Sequence, residues 1–257
     1  RNDAFKQGML DCDATTLDVL VTKKSNEVPV TAVLALDMSN GVDGIAVSPG
    51  INKPEDLIGK KVALTRDDTG ETFLAVFLDK HNIPFDKIDI VARTPDEVAQ
   101  AFLNGEADAA VTWEPELSKA LAGADSHLLV TSKDIPGVIV DMLNVREDIA
   151  LNEPDIVKGL IRGWFRAVSY YNDHPEESSE MIAKYYSMTA PQYRQAVKGV
   201  LWVDRKDQDS LEKFSKFRKT FDMISDLKFR NGRIHMKPLA DDSINSSFAE
   251  GAYENRD

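Results

Sequence analysis

Several acids in the chain stand where solubility alone does not call for them. Asp141 interrupts the apolar run 138–145, VIVDMLNV, and Asp37 abuts the apolar run 28–36, VPVTAVLAL. A lone carboxylate in such a run is costly to bury without a partner or a ligand. Asp37 opens the stretch DMSNGVDG, so Ser39, Asn40 and Asp43 follow within one turn. Asp and Asn side chains there can accept hydrogen bonds from an amine, an amidine or a ring-amino group. Ser-Asn-Gly is equally ordinary turn chemistry. Trp113 and Glu114 close the run DAAVT, offering a flat ring for stacking and a carboxylate for a cation. The alternative there is a core tryptophan stopped by Pro115. Asp68 and Thr69 lie in RDDTGETF, at a strand-to-helix turn whose free N–H groups suit a carboxylate, sulfonate or phosphate. Asp67, Asp68 and Glu71 crowd that turn with negative charge, which opposes an anion. Helix capping is the better reading for Asp67 and Glu71, a ligand contact for Asp68 and Thr69.

These acids would favour a cationic or neutral nitrogen compound over an anion, and nothing beside them calls for turnover. His81, His127, His174 and His235 are far apart and lack metal spacing, and the single Cys12 excludes an intrachain disulfide and a cysteine zinc site. No catalytic residue, metal ligand or cofactor is expected.

The elements that must hold these residues announce themselves through a repeat. AFLNGEADAAVT (101–112) and AFKQGMLDCDATT (4–16) share A-F-x-x-G-x-x-D at an offset of 97, with Thr15 falling on Thr112. Thr94 reads as an N-cap, Pro95 as the first helical residue and Glu97 as the returning side of a capping box. Val98, Ala101 and Phe102 make an apolar stripe, Gly105 ends the helix in a left-handed conformation, and residues 108–112 form a buried strand. Each copy is therefore helix, glycine turn, strand, and a polar residue at the strand's carboxyl end, where ligands bind in open α/β sheets. Thr15 and Thr16, with Asp18 behind them, become the first copy's counterparts of Trp113 and Glu114.

The chain has 257 residues, 42% hydrophobic and 29% charged, an ordinary globular balance. Its net charge of −12 and lack of any basic run argue against nucleic-acid binding. No apolar stretch approaches the ~18 residues of a membrane span. From Lys60 to Val145 the rhythm is β-α-β-α-β-α-β-β, a mostly parallel sheet flanked by helices. Beyond it, helices are expected from Glu153 through Tyr171, in HPEESSEMIAKYYS, over Ala190–Val200 and over Ser210–Leu227. The polar C-terminal stretch 240–257 is expected to wrap loosely over the surface. The candidate crossings between lobes are Val33–Val47 and Val138–Val145. Lobe one then holds residues 1–40 and 146–257, and lobe two 41–145.

LDMSNGVDGIAV, PEDLIGKKVAL, AFLNGEADAAVTWEP, TSKDIPGVIVDMLNVRED and LIRGWFRAVSYYNDHPEE, in that order and spacing, resemble the periplasmic solute-binding proteins of ABC importers. The match is to the nitrate/sulfonate/taurine and thiamine-pyrimidine (NMT1/THI5-like) group, over roughly residues 1–190. The resemblance implies a periplasmic-binding-protein-like α/β fold of two lobes, an ABC permease as partner and a periplasmic or extracytoplasmic location. Arg1 in place of Met suggests a processed or trimmed chain, and compared with the family roughly the first β-α-β unit is missing before it, by truncation, gene-model error or real reduction, so that lobe one is expected to be incomplete. A homodimer, a swapped element or a collapsed cleft is then expected to cover it. The ligand-binding set is Thr15, Thr16, Asp37, Ser39, Asn40, Asp43, Asp68, Thr69, Trp113, Glu114 and Asp141. Its carboxylates favour an amine, guanidine-like compound or aminopyrimidine over sulfonate or nitrate. The alternatives are a ligand-sensing domain of a signalling protein and a pyrimidine-synthase-like enzyme.

Overall fold

The computed structural model describes residues 2–123, 125–208 and 211–253. Arg1, Ser210 at the expected start of the last helix, and residues 254–257 of the C-terminal stretch lie outside them. In chain order the elements are α1 (Asn2–Lys6), β1 (Cys12–Thr16), α2 (Leu17–Ser25), β2 (Val30–Ser39), β3 (Asp43–Val47), β4 (Lys61–Leu64), α3 (Thr69–Lys80), β5 (Asp89–Ala92), α4 (Val98–Leu103), β6 (Ala109–Trp113), α5 (Glu116–Leu121) and β7 (His127–Thr131). They continue with β8 (Val140–Arg146), α6 (Glu147–Asn152), α7 (Pro154–Asp173), α8 (Pro175–Tyr185), α9 (Ala190–Ala196), β9 (Val200–Trp202), α10 (Arg205–Gln208), α11 (Leu211–Arg230) and α12 (Ser247–Glu250). The chain divides into two compact units. Unit 1 comprises Arg1–Met38, Val140–Gln195 and Leu201–Asp257, and unit 2 comprises Ser39–Ile139 and Ala196–Val200.

Unit 2 carries a five-stranded sheet in the order β5-β4-β6-β3-β7. β4 is parallel to β5 and β6, whereas β3 is antiparallel to both β6 and β7. The helices α3, α4 and α5 are the crossovers that make β4, β5, β6 and β7 run one way, as parallel connections require. β3 is reached by a short turn from β2, and it runs against them. Phe73, Leu74, Val76, Phe77 and Leu78 bury one side of α3. Val98, Ala101 and Phe102 do the same for α4. The α4 helix proper begins at Val98, later than the sequence suggests. The expected box still forms in part, since the Thr94 backbone N–H and hydroxyl both donate to the Glu97 carboxylate at 3.1 and 2.6 Å.

Unit 1 carries a four-stranded sheet in the order β1-β8-β2-β9, with β8 antiparallel to β1 and β2. β8, expected to be a crossing strand at the end of lobe two, belongs to unit 1, where β1 and β2 pair with both its edges. Val157, Ile161, Phe165 and Val168 recur at helical spacing along α7 and are buried, the first three in the core that the sheet's residues share.

The repeat is physical. α1, Gly8 and β1 match α4, Gly105 and β6, and the two glycines have φ of 67° and 73°. Equivalent bonds close both helices: Gly8 N–H to Phe5 O and Gly105 N–H to Phe102 O, each 3.0 Å, then Met9 N–H to Ala4 O and Glu106 N–H to Ala101 O. Left-handed backbone of this kind favours glycine.

Two expectations fail. The single helix over Ala190–Val200 stops at Ala196, and Val200–Trp202 becomes β9. Val, Leu and Trp in succession suit a strand, and an open edge of β2 is available to pair with it. The C-terminal stretch does not lie loosely on the surface as far as residue 253. Ile244, Phe248, Ala249 and Ala252 are buried in unit 1. Backbone bonds Ala32 N–H to Ser243 O (2.9 Å) and Asn245 N–H to Ala32 O (2.8 Å) fasten the stretch to β2.

Candidate functional site

In unit 1 the expected residues gather where β1 gives way to α2. β8 lies between β1 and β2, and its register sets Thr16 opposite Asp141 on one side and Asp37 opposite Asp141 on the other. Register shifts in β2 between Ala32 and Leu34 and between Ala35 and Asp37 produce this match. Without the second shift, Leu36 would face Asp141. Residues directly opposite across a ladder point to the same face. Thr16, Asp141 and Asp37 therefore form one row, all half-buried.

Thr16 is also the N-cap of α2, and its side chain makes no capping bond there. Asp18, in the first turn of α2, is buried and lies 3.4 Å from the Lys228 ammonium of α11. Burial, then the negative charge of Asp18, push the Asp141 carboxyl up to about 6, partly offset by a hydrogen bond with the Asp37 side chain.

Trp202 was not singled out from the sequence. The bonds Val203 N–H to Leu36 O and Asn40 N–H to Gly199 O run β9 antiparallel along β2, which sets Trp202 level with Asp37. Its ring packs on Trp164 and Tyr171 at centroid distances of 6.1 and 5.8 Å. The signal for it was the β-prone run VLWV.

Thr15 is placed differently. It lies opposite Met142, so it faces away from the row. Its hydroxyl accepts from the Asn144 amide at 2.8 Å and from Lys23 Nζ at 3.5 Å, while Lys23 Nζ pairs with Asp13 at 2.5 Å. This is internal polar structure.

In unit 2, β3 and β6 bring Asp43 opposite Trp113, and the Glu114 N–H donates to Val42 O at 3.0 Å. Asp43 is buried, and Trp113 and Glu114 are half-buried. The Glu114 carboxylate caps α5, accepting from Ser118 N–H (3.2 Å) and Ser118 Oγ (2.9 Å). Ser39 Oγ is 2.7 Å from Ser132 Oγ, which also accepts from the Gly41 N–H at 2.7 Å. The backbone N–H of Asn40 is taken by Gly199 O. Ser39 thus pins the turn between β2 and β3. Asp68 caps α3 by accepting from the Thr69 N–H at 2.8 Å, and Thr69 is buried. Glu71 pairs with Arg66 at 2.6 Å and accepts from the Asp67 N–H at 2.8 Å, the capping role expected for it.

The structure brings together Thr16, Asp37 and Asp141 in unit 1, and Asp43, Trp113 and Glu114 in unit 2. Among the described residues, no group of three or more His, Cys, Asp or Glu side chains is placed to hold a metal ion. No helix among them is long and apolar enough to cross a membrane.

These paired α/β units are of the periplasmic-binding-protein-like class. The aliphatic sulphonate binding protein SsuA of Escherichia coli superposes with a TM-score of 0.78 at 19% identity, over 95% of this chain and 78% of that one. The alkanesulfonate-binding protein of Xanthomonas axonopodis pv. citri, solved with MOPS, gives 0.77 at 14% identity, over 95% and 83%. The profile of the NMT1/THI5 like family matches residues 6–178, and the chain belongs to that family. Its relatives include the taurine-binding periplasmic protein of Escherichia coli, 28% identical over 61% of this chain and 49% of that protein. A putative aliphatic sulfonates-binding protein of Bacillus subtilis is 27% identical over 82% and 63%. The chain's matches thus span only 49% and 63% of these two relatives' lengths.

Proposed function

We propose that the chain is the solute-capturing part of an extracytoplasmic binding protein that serves an ABC permease, and that it does no chemistry on its solute. Its family, its fold and the binding roles named for its relatives support this reading. Pairing of two chains through β1, the edge strand of the unit 1 sheet, belongs to the same proposal.

The solute carries a cationic or hydrogen-rich nitrogen group: an amine, a guanidine-like group or an aminopyrimidine. One observation carries this choice, the convergence of Asp18, Asp37 and Asp141 at the root of unit 1. Two like unit charges ~4 Å apart at an effective dielectric of ~20 repel by ~4 kcal/mol. That is close to three decades of affinity. A helix N-terminus returns only ~0.3–1 kcal/mol at an exposed site, so a plain sulfonate or nitrate is disfavoured beside these carboxyls. Taurine, named for one relative, bears an ammonium as well as a sulfonate and fits the rule through its nitrogen.

Mass spectrometry of the small molecules released from the purified chain tests the reading. A stoichiometric, nitrogen-bearing solute is the expected result. A sulfonate without an amine, or a covalently altered product of an added solute, would overturn it.

A further inference from the structure

Unit 1 has a cavity at the other end of its sheet from the carboxyl row. It opens beside Thr31, near the start of β2, and Asp37 lies six residues further along that strand. At ~3.3 Å per residue the two places are ~20 Å apart. The cavity measures about 590 Å³, a size that takes a small molecule.

Its lining is apolar below and acidic around. Ala150 of α6, with Ile244 and Phe248 of the C-terminal segment, forms the floor, and each is no more than 9% exposed. Leu151 stands at the edge with 79% of its surface in solvent. The charged lining is Glu147, Asp241 and Asp242 against the single cation Arg218. That guanidinium is already engaged: one nitrogen donates to the Asp241 carboxylate at 2.7 Å and another to the Ile244 carbonyl at 2.7 Å. Glu147 is paired with the Lys24 ammonium at 2.6 Å. Asp242 is exposed, and its carboxylate has no hydrogen-bond or ion partner among the described residues. An anion would therefore meet three carboxylates and an occupied guanidinium, whereas a cation meets an open carboxylate.

We propose that this cavity is a second ligand site, separate from the solute site, and that it takes a small organic cation with an apolar body. The body covers Ala150, Ile244 and Phe248 and is flanked by Leu151, removing apolar surface from water on both sides. The cationic nitrogen donates to Asp242 in a charge-assisted hydrogen bond.

The walls stand ready without the ligand. The Thr31 hydroxyl donates to the Ser243 carbonyl at 3.4 Å, and Asn245 Oδ1 accepts from the Ser247 N–H at 3.1 Å and the Ser247 hydroxyl at 2.6 Å. Together with the backbone bonds from Ala32, these fix the C-terminal segment on β2. Binding then pays little for ordering the site.

Amide NMR of the full chain, titrated with phenethylammonium, phenethyl alcohol and 3-phenylpropionate, tests the proposal. Phenethylammonium is expected to give a saturable set of shifts in residues 147–151 and 241–248. The neutral alcohol is expected to bind there about two- to fivefold more weakly, and the carboxylate not to saturate. Asp242→Asn is expected to weaken the ammonium probe by about the same two- to fivefold, the worth of one exposed ion pair, and to leave the alcohol unchanged. Asp37→Asn is expected to leave this set of shifts and its midpoint as they are, so the result stands whether or not the solute reading does. No saturable shift in these residues, equal binding of all three probes, or an Asp242→Asn variant as tight as wild type would each overturn the proposal.

Discussion

Replacing Lys23 by alanine is expected to destabilise unit 1 by ~3–5 kcal/mol, the cost of breaking a buried ion pair from one side. Lys23 is 1% exposed, its ammonium lies 2.5 Å from Asp13, and it also reaches Thr15. With Lys23 gone, the Asp13 carboxylate keeps the Asn144 amide, which donates to it at 3.2 Å, and no cation among the described residues is paired with it. An uncompensated buried charge costs far more than the pair contributes. The double change Lys23→Met with Asp13→Leu removes both charges together and is therefore expected to recover most of the loss. Urea unfolding of the two variants checks this, and equal losses in both would contradict it. Added salt should alter the wild-type value little, because buried pairs are poorly screened.

Phe5→Ala is expected to cost a similar ~3–5 kcal/mol, the range for removing a fully buried aromatic ring. Phe5 is completely buried, although α1, on which it stands, is only five residues long. Such a helix has little stability of its own, so its order depends on the ring it inserts. The Lys23 ammonium lies 4.8 Å from the centre of that ring. A double-mutant cycle between positions 5 and 23 should therefore show coupling of ~0.5–2 kcal/mol. Zero coupling, measured by the same unfolding curves, would place the two residues in independent parts of the core.

The repeat was legible because its signals are local. A glycine forced to positive φ at the end of a helix, preceded by a phenylalanine three residues earlier, reads the same at Gly8 and Gly105. Strands and helices with steady periodicity were legible for the same reason, from the buried stripe of α7 to the apolar run of β2. What escaped depended on distant partners. Val200–Trp202 is a strand only because an edge of β2 receives it. The final segment is polar on average, yet Ile244, Phe248, Ala249 and Ala252 are spaced to meet a surface that other elements build. Asp37 and Asp141 were each visible as an acid in an apolar strand. Their pairing was not, since it follows from two register shifts in β2. Thr15 and Thr16 were read as equivalents, but alternation along β1 turns one toward Lys23 and the other toward the carboxyl row. Glu114 and Asp68 were read as ligand contacts, and each now has a capping bond to explain its type.

The central claim is that carboxyls at the root of unit 1 select a nitrogen cation. Calorimetric titration with a matched series tests it most directly: taurine, ethanolamine, 2-aminopyrimidine, ethanesulfonate and nitrate, at pH 7.5 and constant ionic strength. The nitrogen-bearing probes are expected to bind, and Asp37→Asn to weaken the ammonium probes ~10–100-fold, the worth of a charge-assisted hydrogen bond. Ethanesulfonate and nitrate are expected to give no heat of binding. Tight binding of either anion, with no response to ethanolamine or aminopyrimidine, would contradict the account.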